Sequence, residues 1–232
     1  MATDATLALL RDRIRGLYAI TPDGLAPDDL IARCDAALGA GARVLQLRAK
    51  NESPAARRAL AQALVRMCRA HHAVFIVNDD IELARVVDAD GVHLGRDDGA
   101  LASARAALPG RLIGASCYAD AQRARRAIAQ GADYIAFGSV FDSPIKPDAP
   151  RAPLMLFDQA ADLGVPRVAI GGISRANAAQ VRAAGADACA VITDLFGSPD
   201  TTPAEVAARA AQLRAILESA VQPTGISPPF AA

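Results

Sequence analysis

The segment Phe75–Asp98, FIVNDDIELARVVDADGVHLGRDD, decides how the rest of the chain is read. Val74–Val77 is a continuous apolar run that stops at Asn78-Asp79-Asp80, and Ile81–Val87 then carries apolar residues at helical spacing. Gly91–Leu94 is again strand-like before Gly95-Arg96-Asp97-Asp98. Strands apolar on both faces suit a parallel sheet covered on both sides, and a strand–helix–strand crossover keeps its strands parallel. If the two strands are neighbours, their C-terminal ends lie about 5 Å apart. Asp79 and Asp98 follow those ends. With Asn78 they would make a hard oxygen site suited to magnesium, or they would instead cap the helices that follow.

Working outward, the same unit recurs. Strand-like runs are expected at Leu17–Ile20, Arg43–Leu47, Val74–Val77, Gly91–Leu94, Leu112–Ala115, Tyr134–Phe137, Arg167–Ile170 and Ala188–Ile192. Helical patterns such as Leu60–Cys68 and Ala119–Ala129 separate them. Three end in a Gly-Ala pair before a strand, at Gly41, Gly131 and Gly185, where glycine accepts the left-handed conformation that stops a helix. Eight strand–helix units in 232 residues predict an α/β protein, a single-domain (β/α)8 TIM barrel over 17–221. The doubly wound open sheet is the alternative, but no glycine-rich nucleotide turn follows the first run. Residues 1–16 read as an amphipathic N-terminal helix, and the proline-rich 222–232 as a disordered tail.

Composition narrows the function. The chain is 52% hydrophobic with a formal net charge of zero, which argues against nucleic acid or a membrane surface as partner. No apolar run is long enough to span a bilayer. The cysteines, Cys34, Cys68, Cys117 and Cys189, show no CxxC pairing, so a reduced cytoplasmic enzyme acting on small molecules is expected, with homo-oligomerisation left open.

Barrel chemistry sits at the C-terminal strand ends. After the second run, Gln46, Arg48 and Lys50 alternate onto one side and would suit a phosphate or diphosphate clamp, or merely a charged rim. Of 25 basic residues, Lys50 and Lys146 are the only lysines, and both fall in strand-end loops. Ser116, after the fifth run, would either contact a polar ligand or cap a helix. Gly171-Gly172 after the seventh run, with Ile192 and Thr193 after the eighth, fall where such barrels bind phosphate. His93, inside a strand, reads as a core or rim residue rather than a base, and Cys117 is given no nucleophilic role.

With these residues in hand, the chain resembles the thiamine phosphate synthase (thiamine-phosphate pyrophosphorylase) family from Leu17 to about Phe196. LYAITPD, QLRAK, NDD, GVHLGRDD, IGAS, GSVFDSPIK, AIGGI and AVIT appear in family order. The resemblance implies a transferase that joins hydroxymethylpyrimidine diphosphate to thiazole phosphate and releases pyrophosphate. It implies that Gln46, Arg48, Lys50, Asn78 and Lys146 hold the diphosphate substrate and that Asp79 and Asp98 hold Mg2+. Ser116 would contact the pyrimidine, while Ser143 to Ile145, Gly172, Ile192 and Thr193 would line the thiazole-phosphate site. Arg48, Lys50, Lys146 and Ser116 would carry catalysis. The chain departs from the family's usual Thr-x-Thr-Lys at Ser143-Pro144-Ile145-Lys146, and from its usual residues at Ala49, Arg96 and Tyr118. A thiazole tautomerase-like isomerase and a non-catalytic phosphate-binding paralogue are the rival readings.

Overall fold

A computed structural model describes residues 9, 12–95, 99–142 and 151–219 of the chain. Arg96, Asp98, Ser143, Ile145, Lys146, most of the expected N-terminal helix and the expected tail lie outside the described residues. The strands are β1 (Gly16–Ile20), β2 (Val44–Leu47), β3 (Val74–Asn78), β4 (Gly91–Leu94), β5 (Leu112–Tyr118), β6 (Tyr134–Phe137), β7 (Arg167–Ile170) and β8 (Ala188–Val191). Each pairs in parallel with the next, and β8 pairs with β1, so the sheet closes as a (β/α)8 barrel. The helices between them are α1 (Pro27–Gly39), α2 (Pro54–Ala70), α3 (Ile81–Val86), α4 (Gly99–Ala107), α5 (Ala121–Ala129), α6 (Met155–Gln159), α7 (Ala178–Ala183), α8 (Thr193–Phe196) and α9 (Pro203–Ser219).

Alternation along the strands builds two cores. Leu17, Leu45, Phe75, Val77, Ile113, Ile135 and Ala169 face outward and pack under the helices. Val44, Val74, Ile76, Leu112 and Val168 point inward with Tyr18 and Tyr134 and plug the barrel. Inward positions on β6 and β8 are small (Ala136, Ala188, Ala190), so space remains above the plug.

The Gly-Ala stops work as expected. Gly41, Gly131 and Gly185 have φ near +100°, and the alanine N–H after each returns to a carbonyl of the last turn, as in Ala42 to Ala37 at 3.0 Å. At the opposite end of the barrel a repeat emerges that the sequence did not announce. Asp90, Asp133 and Asp187 each precede an even strand and accept the first N–H of β3, β5 or β7 or its neighbour, at 2.8–3.0 Å. Each also pairs with an arginine: Arg13, Arg105 and Arg167 respectively. Arg33, 2% exposed, ties the segment after α8 to α1 by donating to the carbonyls of Phe196, Ser198 and Pro199 while paired with Asp29. Burial of a cation this deep is tolerable because every strong donor finds an oxygen.

Candidate active site

The C-terminal strand ends enclose one cavity of about 780 Å³. Gln46, Arg48, Lys50, Asn78 and Asp79 line one side, Gly171, Gly172, Ile192 and Thr193 the other, and Ser116 stands between them. The predicted residues within the described part of the chain therefore converge on one space.

Asp79 is placed there by its backbone. At φ +63° it sits in the left-handed region, where aspartate is better tolerated than most residues. The Asp79 N–H donates to His93 O on β4 at 2.9 Å, and the Asp80 N–H folds back to Asn78 O at 2.8 Å. That tight turn hands the capping role to Asp80, whose Oδ1 accepts from Leu83 N at 2.8 Å, so the alternative in which Asp79 caps the helix is wrong. Freed from capping, the Asp79 carboxylate accepts from Asn78 Nδ2 at 2.7 Å and lies 3.8 Å from Lys50 Nζ. It hangs over the end of β4, where a Cβ on Gly95 would stand 3.7 Å from its Oδ1. Among the described residues no three acidic, histidine or cysteine side chains gather as a ready metal cage. Magnesium needs less than that, since it commonly takes one or two carboxylates and completes its shell with substrate phosphate and water. The hard oxygen of Asp79 beside cationic Lys50 fits such an ion carried with a diphosphate.

Arg48 lies just beyond β2 and is anchored on the segment that follows β1. Its N–H donates to Thr21 Oγ1 at 2.8 Å, Thr21 Oγ1 returns a bond to Arg48 O at 3.0 Å, and the guanidinium pairs with Asp23. Thr21 and Asp23 were not predicted as part of the site. They hold Arg48 at the rim with much of its charge already met.

Ser116 is no helix cap. It lies within β5, where a register shift between Ser116 and Tyr118 marks a bulge, and Asp120 caps α5 instead. Arg123 braces this bulge, donating from Nε to Ser116 O at 2.8 Å and from Nη2 to Gly95 O at 3.0 Å.

Two further side chains, Tyr18 and His93, line the cavity floor, and Tyr134 is buried in the barrel plug against both. Tyr18 OH donates to Gln46 Oε1 at 2.7 Å and stands 3.0 Å from Tyr134 OH. His93 Nδ1 is 3.2 Å from Tyr134 OH, and its Nε2 is 3.0 Å from Ser116 Oγ. Burial pushes the His93 pKa down to about 4, against a smaller upward pull from the Asp79 charge, and burial also raises both phenols. The imidazole is thus neutral near pH 7 and only weakly basic. Below about pH 6.5 the unfolded chain takes up a proton that folded His93 refuses until about pH 4, so acid favours unfolding across that window. Between pH 7 and pH 5 this costs the wild type about 2 kcal/mol more than His93→Gln, measurable by denaturant titration at both pH values. Equal losses in the two proteins would show that His93 is protonated in the fold.

On the opposite side, Gly171 (φ +101°) and Gly172 (φ +64°) lie against the chain that leaves β6. Val140 N donates to Ile170 O and Phe141 N to Gly171 O, each at 3.0 Å. A Cβ on Gly171 would fall 2.2 Å from Ser139 Oγ, and one on Gly172 would fall 2.2 Å from Asp142 O. Besides the anion approach expected of it, the pair has a role the structure shows: it lets the post-β6 and post-β7 segments lie in contact.

Residues 17–195 match the family model described as thiamine monophosphate synthase. A thiamine-phosphate synthase of Chromobacterium violaceum is 55% identical over 193 residues, spanning 83% of this chain and 93% of that one. One from Methylobacillus flagellatus is 52% identical over 200 residues, 86% and 93% of the two chains. The solved thiamine phosphate pyrophosphorylase of Pyrococcus furiosus superposes with a TM-score of 0.80 at 33% identity, covering 92% of this chain and all of that one. The chain belongs to the thiamine monophosphate synthase family. It is an enzyme of that family, a transferase, as the resemblance in the strand-end motifs implied. Among the described residues no helix is long and apolar enough to cross a membrane.

Proposed function

We propose that the chain condenses 4-amino-2-methyl-5-hydroxymethylpyrimidine diphosphate with 4-methyl-5-(2-phosphoethyl)thiazole, giving thiamine phosphate and pyrophosphate. The observation that carries this reading is a cavity that has a charged side at β2–β3 and a glycine side at β7–β8. Two anionic substrates need such a pair of poles with their reacting atoms between them.

Gln46, Arg48, Lys50 and Asn78 bind the diphosphate substrate, with Lys146 expected to join them from the post-β6 segment. Ser116 contacts the pyrimidine. Gly172, Ile192 and Thr193 hold the thiazole phosphate, with Ser143 and Ile145 beside them. Asp79, with Asp98, would hold Mg2+, which when bound offsets charge on the departing diphosphate. Arg48 and Lys50 stabilise that same charge as the carbon–oxygen bond to the diphosphate breaks and its electron pair leaves with oxygen. The aminopyrimidine delocalises the positive charge left on its methylene, and the thiazole nitrogen lone pair forms the new bond to that carbon. No protein nucleophile or base is consumed, consistent with a neutral, buried His93. Holding two reactants in line supplies several kcal/mol of the roughly 8–23 an enzyme contributes.

The tautomerase reading wants an acid–base group where Tyr118 stands. That phenol instead lies beside the Arg123 guanidinium, 5.7 Å from ring centre to carbon. The four cysteines are buried free thiols, which supports a cytoplasmic location. An assay with both substrates and saturating magnesium tests the proposal. Thiamine phosphate and pyrophosphate are expected in equal amounts and only when both substrates are present. Absence of product would overturn it.

A further inference from the structure

The polar side chains across the cavity floor form one unbroken line. Six hydrogen bonds join Ser116, His93, Tyr134, Tyr18, Gln46, Asn78 and Asp79, at 3.0, 3.2, 3.0, 2.7, 2.7 and 2.7 Å in that order. One end of the line is a carboxylate, which can only accept. That fixes every direction behind it.

Asn78 must turn its Nδ2 toward Asp79, leaving Oδ1 to accept from Gln46 Nε2. Gln46 then presents Oε1 to Tyr18, whose hydroxyl proton is spent there. Tyr18 oxygen accepts from Tyr134 OH, and Tyr134 oxygen accepts from a proton on His93 Nδ1. A neutral imidazole with its proton on Nδ1 has a bare Nε2, which takes the Ser116 hydroxyl proton. Ser116 is left with lone pairs alone to offer the cavity.

β5 is shaped for this contact. Gly114 faces the same interior, and a Cβ there would lie 2.1 Å from Tyr134 Cζ and 2.5 Å from His93 Nδ1. Glycine weakens a strand interior, and here its missing side chain is the space in which the phenol meets the imidazole.

We propose that this one-way chain fixes Ser116 as a hydrogen-bond acceptor, so that the site selects a pyrimidine whose facing substituent donates, an exocyclic amine over an oxo group. His93, Tyr134 and Tyr18 are on this view positioning residues for specificity. The proposal rests on the condensation reading for its ligand, and the chain of bonds stands on its own geometry.

Tyr18→Phe is the sharpest test, because it lies two residues of the chain away from His93 and three from Ser116. Tyr134 OH has two described hydrogen-bond partners, so without the Tyr18 oxygen His93 Nδ1 is the one left to take its proton. The ring proton then moves to Nε2 and Ser116 becomes free to donate. Two measurements follow. Nitrogen-15 spectra of the full chain report which His93 nitrogen carries the proton, with His93→Gln supplying the assignment. Calorimetry compares binding of the 4-amino-pyrimidine diphosphate with its 4-oxo counterpart. The wild type is expected to carry the proton on Nδ1 and to favour the amine at least ~10-fold, a discrimination of about 1.4 kcal/mol. Tyr18→Phe is expected to move the proton to Nε2 and lower that preference at least tenfold. Tyr134→Phe, which removes the bias without reversing it, gives an intermediate preference and serves if Tyr18→Phe does not fold. An Nε2 proton in the wild type, or the same amine preference in wild type and variant, overturns the proposal. Failure of both pyrimidines to bind the wild type overturns the condensation reading and the selectivity with it, while the ring spectrum still decides the chain.

Discussion

Asp79→Asn is expected to lower kcat/KM by roughly 10³-fold while leaving the barrel folded. Asparagine is the right replacement because position 79 is in the left-handed region at φ +63°, which asparagine occupies about as readily as aspartate. Its carbonyl still accepts from Asn78 Nδ2, so the turn at the end of β3 keeps its shape. What disappears is the negative charge beside Lys50 and the hard anionic oxygen suited to magnesium. The carboxylate is half exposed, so its loss leaves stability within about 0.5 kcal/mol. Steady-state kinetics under saturating magnesium, read beside thermal unfolding, separate the two effects. A variant with near-normal turnover and an unchanged melting curve would remove Asp79 from the reaction.

The ambiguity at Asp79 shows where sequence reading stops. NDD after an apolar run contains two candidate caps, and side-chain chemistry cannot tell them apart. The backbone decides, because a left-handed residue 79 swings Asp80 into the capping position. Strand positions were far more legible. Tyr134–Phe137 and Arg167–Ile170 agree with the expected bounds, since buried parallel strands read as unbroken apolar runs. β5 was read short at Ala115, because Ser116 and Tyr118 look like loop residues and a bulge carries the strand through them.

The cavity floor was hidden for the opposite reason. Tyr18 in LYAI and Tyr134 in YIAF look like ordinary core aromatics, and their hydroxyls meet only once all eight strands have closed the barrel. Asp90, Asp133 and Asp187 carry no signal in the sequence that sets them apart from other aspartates before a strand. Their carboxylates gain meaning only from the preceding odd strand, whose N–H groups they accept.

Gly172→Ala is expected to cut kcat/KM at least ~100-fold, by carrying damage from one substrate's side of the cavity to the other. The sequence suggested that Gly171-Gly172 is there for close approach of an anion, yet a methyl group at 172 first meets protein. It would lie 2.2 Å from Asp142 O and 2.8 Å from Phe141 Cβ, neither of which can yield unless the post-β6 segment moves. That segment is also bound to β7 through Val140 N and Ile170 O, and just beyond it through Phe141 N and Gly171 O, so the strain cannot be absorbed at one residue. Left-handed backbone adds about 1–2 kcal/mol for alanine, and overpacking adds about 1–3. For a barrel of this size each kcal/mol lowers Tm by about 2–4 °C. Moving the segment displaces the chain leading to Lys146, expected at the diphosphate, while Gly172 itself is on the side proposed for the thiazole phosphate. KM for thiazole phosphate should therefore rise and kcat should fall together. Gly110→Ala is the control: Gly110 has φ +74° and open space where a Cβ would go, so it bears the backbone cost alone. If Gly172→Ala shows no greater kinetic loss than Gly110→Ala, contact between the post-β6 and post-β7 segments does not couple the two poles, and the glycine pair serves the anion only.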